Sequence, residues 1–74
     1  MKFTVKPLVF DKYGNAQGVG CSYMMYEVLN GWNAVIYPVD SAHYQLATKV
    51  SEKEAIEIIN NDHVNRVLNL IEVV

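Results

Sequence analysis

Hydrophobic and polar positions alternate at the start of the chain, and the period then changes several times. Residues 2–10 predict a strand, with Phe3 and Val5 alternating against Lys2, Thr4 and Lys6 before an apolar Leu8-Val9-Phe10. Pro7 removes a ladder donor, which suggests an edge, a bulge or two short pieces. Turn formers follow at Asp11-Lys12-Tyr13-Gly14-Asn15. Beyond them Cys21, Met24, Met25, Val28, Leu29 and Trp32 recur at steps of three and one, placing them on one helical face. Asn30-Gly31 supplies a left-handed C-terminal cap, so a helix is predicted over about 20–30. The competing strand through Tyr23-Met24-Met25-Tyr26 would place apolar side chains on both faces without clean alternation, and the helix is preferred on that ground.

Residues 33–39 and 42–50 read as a hairpin with Asp40-Ser41 at its tip. A two-residue turn there pairs Tyr37 with Tyr44 and Val35 with Leu46 on the core face. Ala34, Ile36, His43, Gln45, Ala47 and Lys49 then fall on the other. Ser51-Glu52-Lys53-Glu54 fits a capping box opening a second helix, whose stripe is Ala55, Ile56 and Ile59 and which closes at Asn60-Asn61-Asp62. In the final segment, Val64, Val67, Leu68 and Ile71 fit helical spacing, while 67–74 is rich in β-formers; the segment is assigned as a strand. The order strand, helix, strand, strand, helix, strand predicts an α+β, ferredoxin-like βαββαβ plait, with a four-stranded antiparallel sheet and two helices on one face.

Composition narrows the class. The chain has 74 residues, enough for one compact domain over 1–74, and is 51% hydrophobic and 19% charged, a globular balance. The single cysteine, Cys21, excludes an intramolecular disulfide. No N-terminal apolar run resembles a signal peptide, and no segment approaches the roughly 20 apolar residues needed to span a bilayer. A cytoplasmic protein without membrane contact is expected. A net charge of −2 argues against nucleic acid, and Lys2, Lys6 and Lys12 read as a solvated face. Five tyrosines and Trp32 could stack bases on a sheet, but the aromatic runs with basic flanks that RNA-binding plaits use are absent.

Candidate chemistry centres on Gly14-Asn15-Ala16-Gln17-Gly18-Val19-Gly20, read as a strand-to-helix turn. Backbone N–H groups at such a turn would hold a small anion, with Gln17, Gly18, Val19, Gly20, Cys21 and Ser22 as the candidate site. No cationic side chain stands in the loop. Cys21 at a helix N-terminus could hold a stabilised thiolate, but it also begins the apolar stripe and reads as packing. His43 beside the hairpin tip and His63 in a helix-to-strand connection lack metal-motif partners. Ser22, Ser41 and Ser51 form no nucleophile motif. No catalytic residue, metal or cofactor is assigned.

The same glycine stretch resembles the substrate loop of the acylphosphatase family, approximately G-x-V-Q-G-V-x-F-R, which joins the first strand of a plait to its first helix. The resemblance implies an anion-binding loop. Ser22 stands where that family has its arginine and Cys21 where phenylalanine is usual, and Gly31-Trp32 resembles the family's Gly-Trp. Asn33 sits too early for the family's water-positioning asparagine. Without a charge-assisted bidentate partner, acyl-phosphate hydrolysis is expected to be slow or absent.

The last strand offers a different function. Whichever of its faces meets the helices, the other still exposes aliphatic side chains on a sheet edge. Val67, Leu68, Leu70, Ile71 and Val73 are therefore the candidate interaction residues, for a homodimer or a protein partner. The expected function is a small non-catalytic interaction module, regulatory or inhibitory. The alternative is an acylphosphatase-like anion-binding domain with weak or lost hydrolase activity.

Overall fold

Turn residues cut the middle of the chain into strands, and an uninterrupted helical stretch follows them. The computed structural model describes residues 5–72. Its elements are β1 (Asn15–Gln17), β2 (Cys21–Val28), β3 (Gly31–Pro38), β4 (Tyr44–Val50) and α1 (Glu52–Glu72). The strands form an antiparallel sheet in the order β1-β2-β3-β4, and α1 packs chiefly on β3 and β4. This is a small α+β domain with one described helix, so the expected plait with two helices is corrected.

The predicted helix over 20–30 is strand β2. Cys21, Tyr23 and Met25 are buried on the face that α1 covers, and their alternation with Ser22, Met24 and Tyr26 is the period of two that a strand requires. Apolar residues on both faces of a central strand imitate helical spacing, which is why the sequence pattern misleads. The turns carry the same ambiguity. Val28 pairs with Gly31, leaving Leu29-Asn30 as a two-residue hairpin turn in which Asn30 takes a φ of 76°. A left-handed asparagine before glycine serves a hairpin as well as a helix cap. Gly14 also needs its missing side chain: it has a φ of 83°, and a Cβ there would run into the Met25 carbonyl oxygen.

Residues 5–10 form no strand. They run alongside α1 with Leu8 and Phe10 packed on the core, and the Leu8 N–H donates to the Asn60 side-chain oxygen at 2.9 Å instead of to a ladder. The predicted residues 2–4 of that strand lie outside the described residues.

The β3–β4 hairpin exists with a different register. Its connection covers 39–43, longer than the two residues expected. Ile36 therefore pairs with Tyr44, Val35 with Gln45 and Ala34 with Ala47, with register shifts around Ala34. The slip turns over the faces of β3, whereas on β4 Tyr44, paired with Ile36, and Leu46, packed on the core, stay on the expected face. Ala34 and Ile36 face α1, while Val35 and Tyr37 lie on the other side.

Helix α1 starts where the cap predicts, with the Glu54 N–H donating to Ser51 Oγ at 3.1 Å. It does not stop at Asn60-Asn61-Asp62. These residues cost only tenths of a kcal/mol each in a helix, and Asn60 and Asp62 have tertiary partners. The helix runs on to Glu72, so the predicted strand over 64–74 is corrected for 64–72; Val73 and Val74 lie outside the described residues. Ala55 and Ile59 form the fully buried row against the sheet, and His63 continues it one turn on. His63 is thus mid-helix and buried, not in a connection.

Candidate functional site

Three surfaces gather the chemistry-bearing residues. The first is the sheet face that α1 leaves uncovered among the described residues. Cross-strand register arranges it in rows: Gln17, Ser22 and Tyr37; Asn15, Met24, Val35 and Gln45; Tyr26 and Asn33. None of these positions carries a charge. Val35 at the centre is only 3% exposed, whereas Tyr37 is 40% exposed. The Tyr37 hydroxyl donates to Met24 Sδ at 3.9 Å, the Tyr37 ring stacks on His43 with centroids 5.2 Å apart, and Asn33 Nδ2 donates to Tyr26 Oη at 3.3 Å. Two register shifts in the β3–β4 ladder and a left-handed Lys49, φ 55°, make the outer strand irregular, which blunts the free edge of β4 for strand addition.

The second surface lies at the helix–sheet interface. The Tyr23 hydroxyl donates to Asp62 Oδ2 at 2.6 Å, Arg66 Nε donates to the same oxygen at 2.7 Å, and Arg66 Nη2 donates to Tyr44 Oη at 3.1 Å. Burial first, and then the hydrogen bond to Asp62, push the Tyr23 phenol well above its ordinary value, so it stays protonated. Asp62 likewise raises Arg66 and keeps it charged. A phenol and a guanidinium sharing one carboxylate form a structural clamp between β2 and α1. Sequence reasoning missed it. The Asp62–Arg66 spacing of four was a usable helical signal, but Tyr23 and Tyr44 join only through the tertiary fold. Beneath the same helix, His63 Nδ1 is buried without a hydrogen-bond partner among the described residues.

The predicted anion-site residues Gln17, Gly18, Val19, Gly20, Cys21 and Ser22 do sit together, as a hairpin turn rather than a helix entry. The Gly18 N–H donates to the Cys21 carbonyl at 3.0 Å, Gln17 Nε2 reaches the same carbonyl at 3.0 Å, and the Gly20 carbonyl accepts from the Val39 N–H at 3.1 Å. No helix begins here, so the helix-dipole part of the anion and thiolate arguments falls away; Cys21 is a buried thiol in the core. Gly18 is glycine because a Cβ would press on the Tyr23 ring at 2.7 Å. What sequence could not show is the neighbour across the turn. Arg66, Asn69 and Leu70 of α1 close a hollow of about 290 Å³ with Val19 and Gly20.

The predicted interaction residues do not form a strand. Val67, Leu68, Leu70 and Ile71 lie on the last turns of α1, and Val73 lies outside the described residues. Leu70 is 60% exposed, Leu68 is partly exposed and Val67 is half-buried. A helix spreads these side chains around its axis, so the two-faced apolar edge does not exist.

The third surface is a cleft of about 480 Å³ at the opposite end of the sheet, between residues 10–14, β2, β3 and the first turns of α1. Among the described residues, no helix is long and apolar enough to cross a membrane, and no cluster of His, Cys, Asp or Glu is arranged to hold a metal ion. No family model, curated protein or solved structure matches the chain.

Proposed function

We propose that this protein is a small non-catalytic interaction module that self-associates through the uncovered sheet face. The carrying observation is the absence of charge from every paired position of that face, in a chain that is 19% charged. Interface cores are depleted in charge and enriched in tyrosine and methionine, as this surface is. A second copy is the favoured occupant because an uncharged face meets its own image without like-charge repulsion. Tyrosine, serine, asparagine and glutamine also each donate and accept, so two such faces satisfy one another. Packing would be sheet on sheet.

Area sets the strength. Eight-residue strands about 26 Å long in a sheet of this width offer roughly 400–500 Å² per copy. That is short of the roughly 800 Å² per partner in standard interfaces. The dimer is therefore expected to be weak and reversible. Sedimentation of the protein across a concentration series should show a monomer–dimer equilibrium, which Met24→Lys abolishes by placing like charges opposite one another. A strictly monomeric protein at high concentration would overturn the proposal, whether or not another protein binds the face.

A second reading is favoured by one observation: Arg66 stands across the hollow from Val19 and Gly20, so the fold brings a cation beside the turn that lacks one. It treats the protein as an anion-binding domain with weak or lost acylphosphatase-like activity. Phosphate titration followed by backbone resonances, together with an acyl-phosphate turnover assay on the protein and on Arg66→Gln, tests it. Shifts confined to 17–22 that vanish in the variant support it, and unchanged resonances remove it.

A further inference from the structure

The 480 Å³ cleft falls in the size range of small-ligand sites, and of the residues arranged on the uncovered sheet face only Tyr26 also lines it. Its apolar lining comes from Phe10, Met25, Trp32 and Ile56. Its rim carries the carboxylates of Asp11, Glu27 and Glu52 against a single cation, Lys12. None of the three carboxylates is in a salt bridge among the described residues, where the ion pair is Asp62–Arg66. Lys12 does not neutralise them directly: its ammonium lies 5.1 Å from the centroid of the Tyr13 ring. The positive end of the α1 dipole also faces this end of the domain, and Glu52 and Glu54 in the first turn offset it.

Each ligand class meets this lining differently. An anion would face the carboxylates of Glu27 and Glu52, with that of Asp11 held by the Tyr13 and Asn15 N–H groups. A metal ion needs converging ligands, and the described residues hold no such cluster. A neutral apolar molecule would gain only burial. An ammonium ion with an apolar shell gains burial against Phe10, Trp32 and Ile56 and attraction to the rim. We propose that this cleft binds a compact organic ammonium ion, as a free small molecule.

Trp32 is the chain's single tryptophan, so its fluorescence reports on the cleft directly. The intact protein is titrated with choline, a quaternary ammonium ion, and with n-butylammonium, a primary one. Each is compared with an uncharged isostere, 3,3-dimethyl-1-butanol for choline and 1-butanol for the amine. The expected result is saturable binding of at least one cation, about tenfold tighter than its isostere, with amide shifts at 10–14, 25–27 and 52–56. Preference for choline identifies a quaternary ligand and preference for n-butylammonium a primary one; either supports the proposal. The exposed pair Glu27→Gln and Glu52→Gln should erase the preference for charge while leaving the amide spectrum folded. Equal binding of cation and isostere, shifts outside the cleft, or no saturation would overturn it.

Discussion

Beneath α1, Ile36 and Tyr23 are sealed by a second layer of structure, whereas Val35, the residue next to Ile36, is 3% exposed on the face that α1 leaves uncovered among the described residues. The covered face fixes its neighbours by packing Ala55 and Ile59 onto the strands and by tying Tyr23 to Asp62. On the open face the positions paired with Val35 are Met24 and Gln45, both long and uncharged. Burial of one residue therefore does not report that a face is occupied. The useful contrast lies in what surrounds the buried residue, and on the open face those surroundings have the composition of an interface.

Mutations test this contrast. The largest effect is expected from Ile36→Ala, which leaves a cavity between sheet and helix and should cost about 2–5 kcal/mol in urea unfolding. Tyr23→Phe comes next, at about 1–3 kcal/mol, because it removes a hydrogen bond to a partly buried carboxylate. It also has a pH signature. The folded-state phenol titrates above its ordinary value of 10.0, so its contribution is complete below pH 10 and is lost as pH rises beyond it. Unfolding curves at high pH should fall for the unmodified protein, and the fall should be shallower for Tyr23→Phe.

On the open face, Val35→Ala should cost about 1.5 kcal/mol in dilute solution, from the methyl groups removed. That cost should grow with protein concentration if a second copy covers the site; a concentration-independent value would separate Val35 from self-association. Tyr37→Glu is the finer probe. It should change monomer stability by no more than about 0.5 kcal/mol while shifting the sedimentation equilibrium to monomer. The smallest effect belongs to Asp11, outside both faces. Backbone N–H groups of Asn15 and Tyr13 donate to its carboxylate at 2.9 and 2.8 Å and hold it below its ordinary value. Its contribution is present above pH 3.8 and is lost as pH falls through the lower folded-state value. Asp11→Asn should flatten this acid limb without altering either face.

The two segments with helical spacing show how far such a pattern reaches. Cys21–Val28 and Glu52–Glu72 both place apolar residues three and four apart, yet one is strand and the other helix. Propensity separates them: Tyr23-Met24-Met25-Tyr26 between glycine turns suits a strand, and Glu-Lys-Glu-Ala behind a serine cap suits a helix. For the last segment, the β-formers Val67 and Ile71 follow directly on an established helix with no Gly or Pro between them. Continuing a formed helix costs far less than nucleating a new element. The anion-site residues were legible as a neighbourhood because a tight glycine turn is local. The open face and the cleft were not, since both depend on strand register and on where the helix lies.

By itself the sequence determined that Gly14 and the glycines at 18 and 20 turn the chain, the Ser51 cap and the scarcity of charge between Ala16 and Tyr26, because these follow from local backbone preferences and side-chain chemistry. Only the tertiary structure decided which face of each strand is covered, brought Arg66 to Asp62, Tyr44 and the glycine turn, and set Trp32 among carboxylates from three separate segments. The reason is geometric. A side chain's face follows from local alternation only once register is set, and register is fixed by loop length and long-range packing, which single-strand periodicity does not contain.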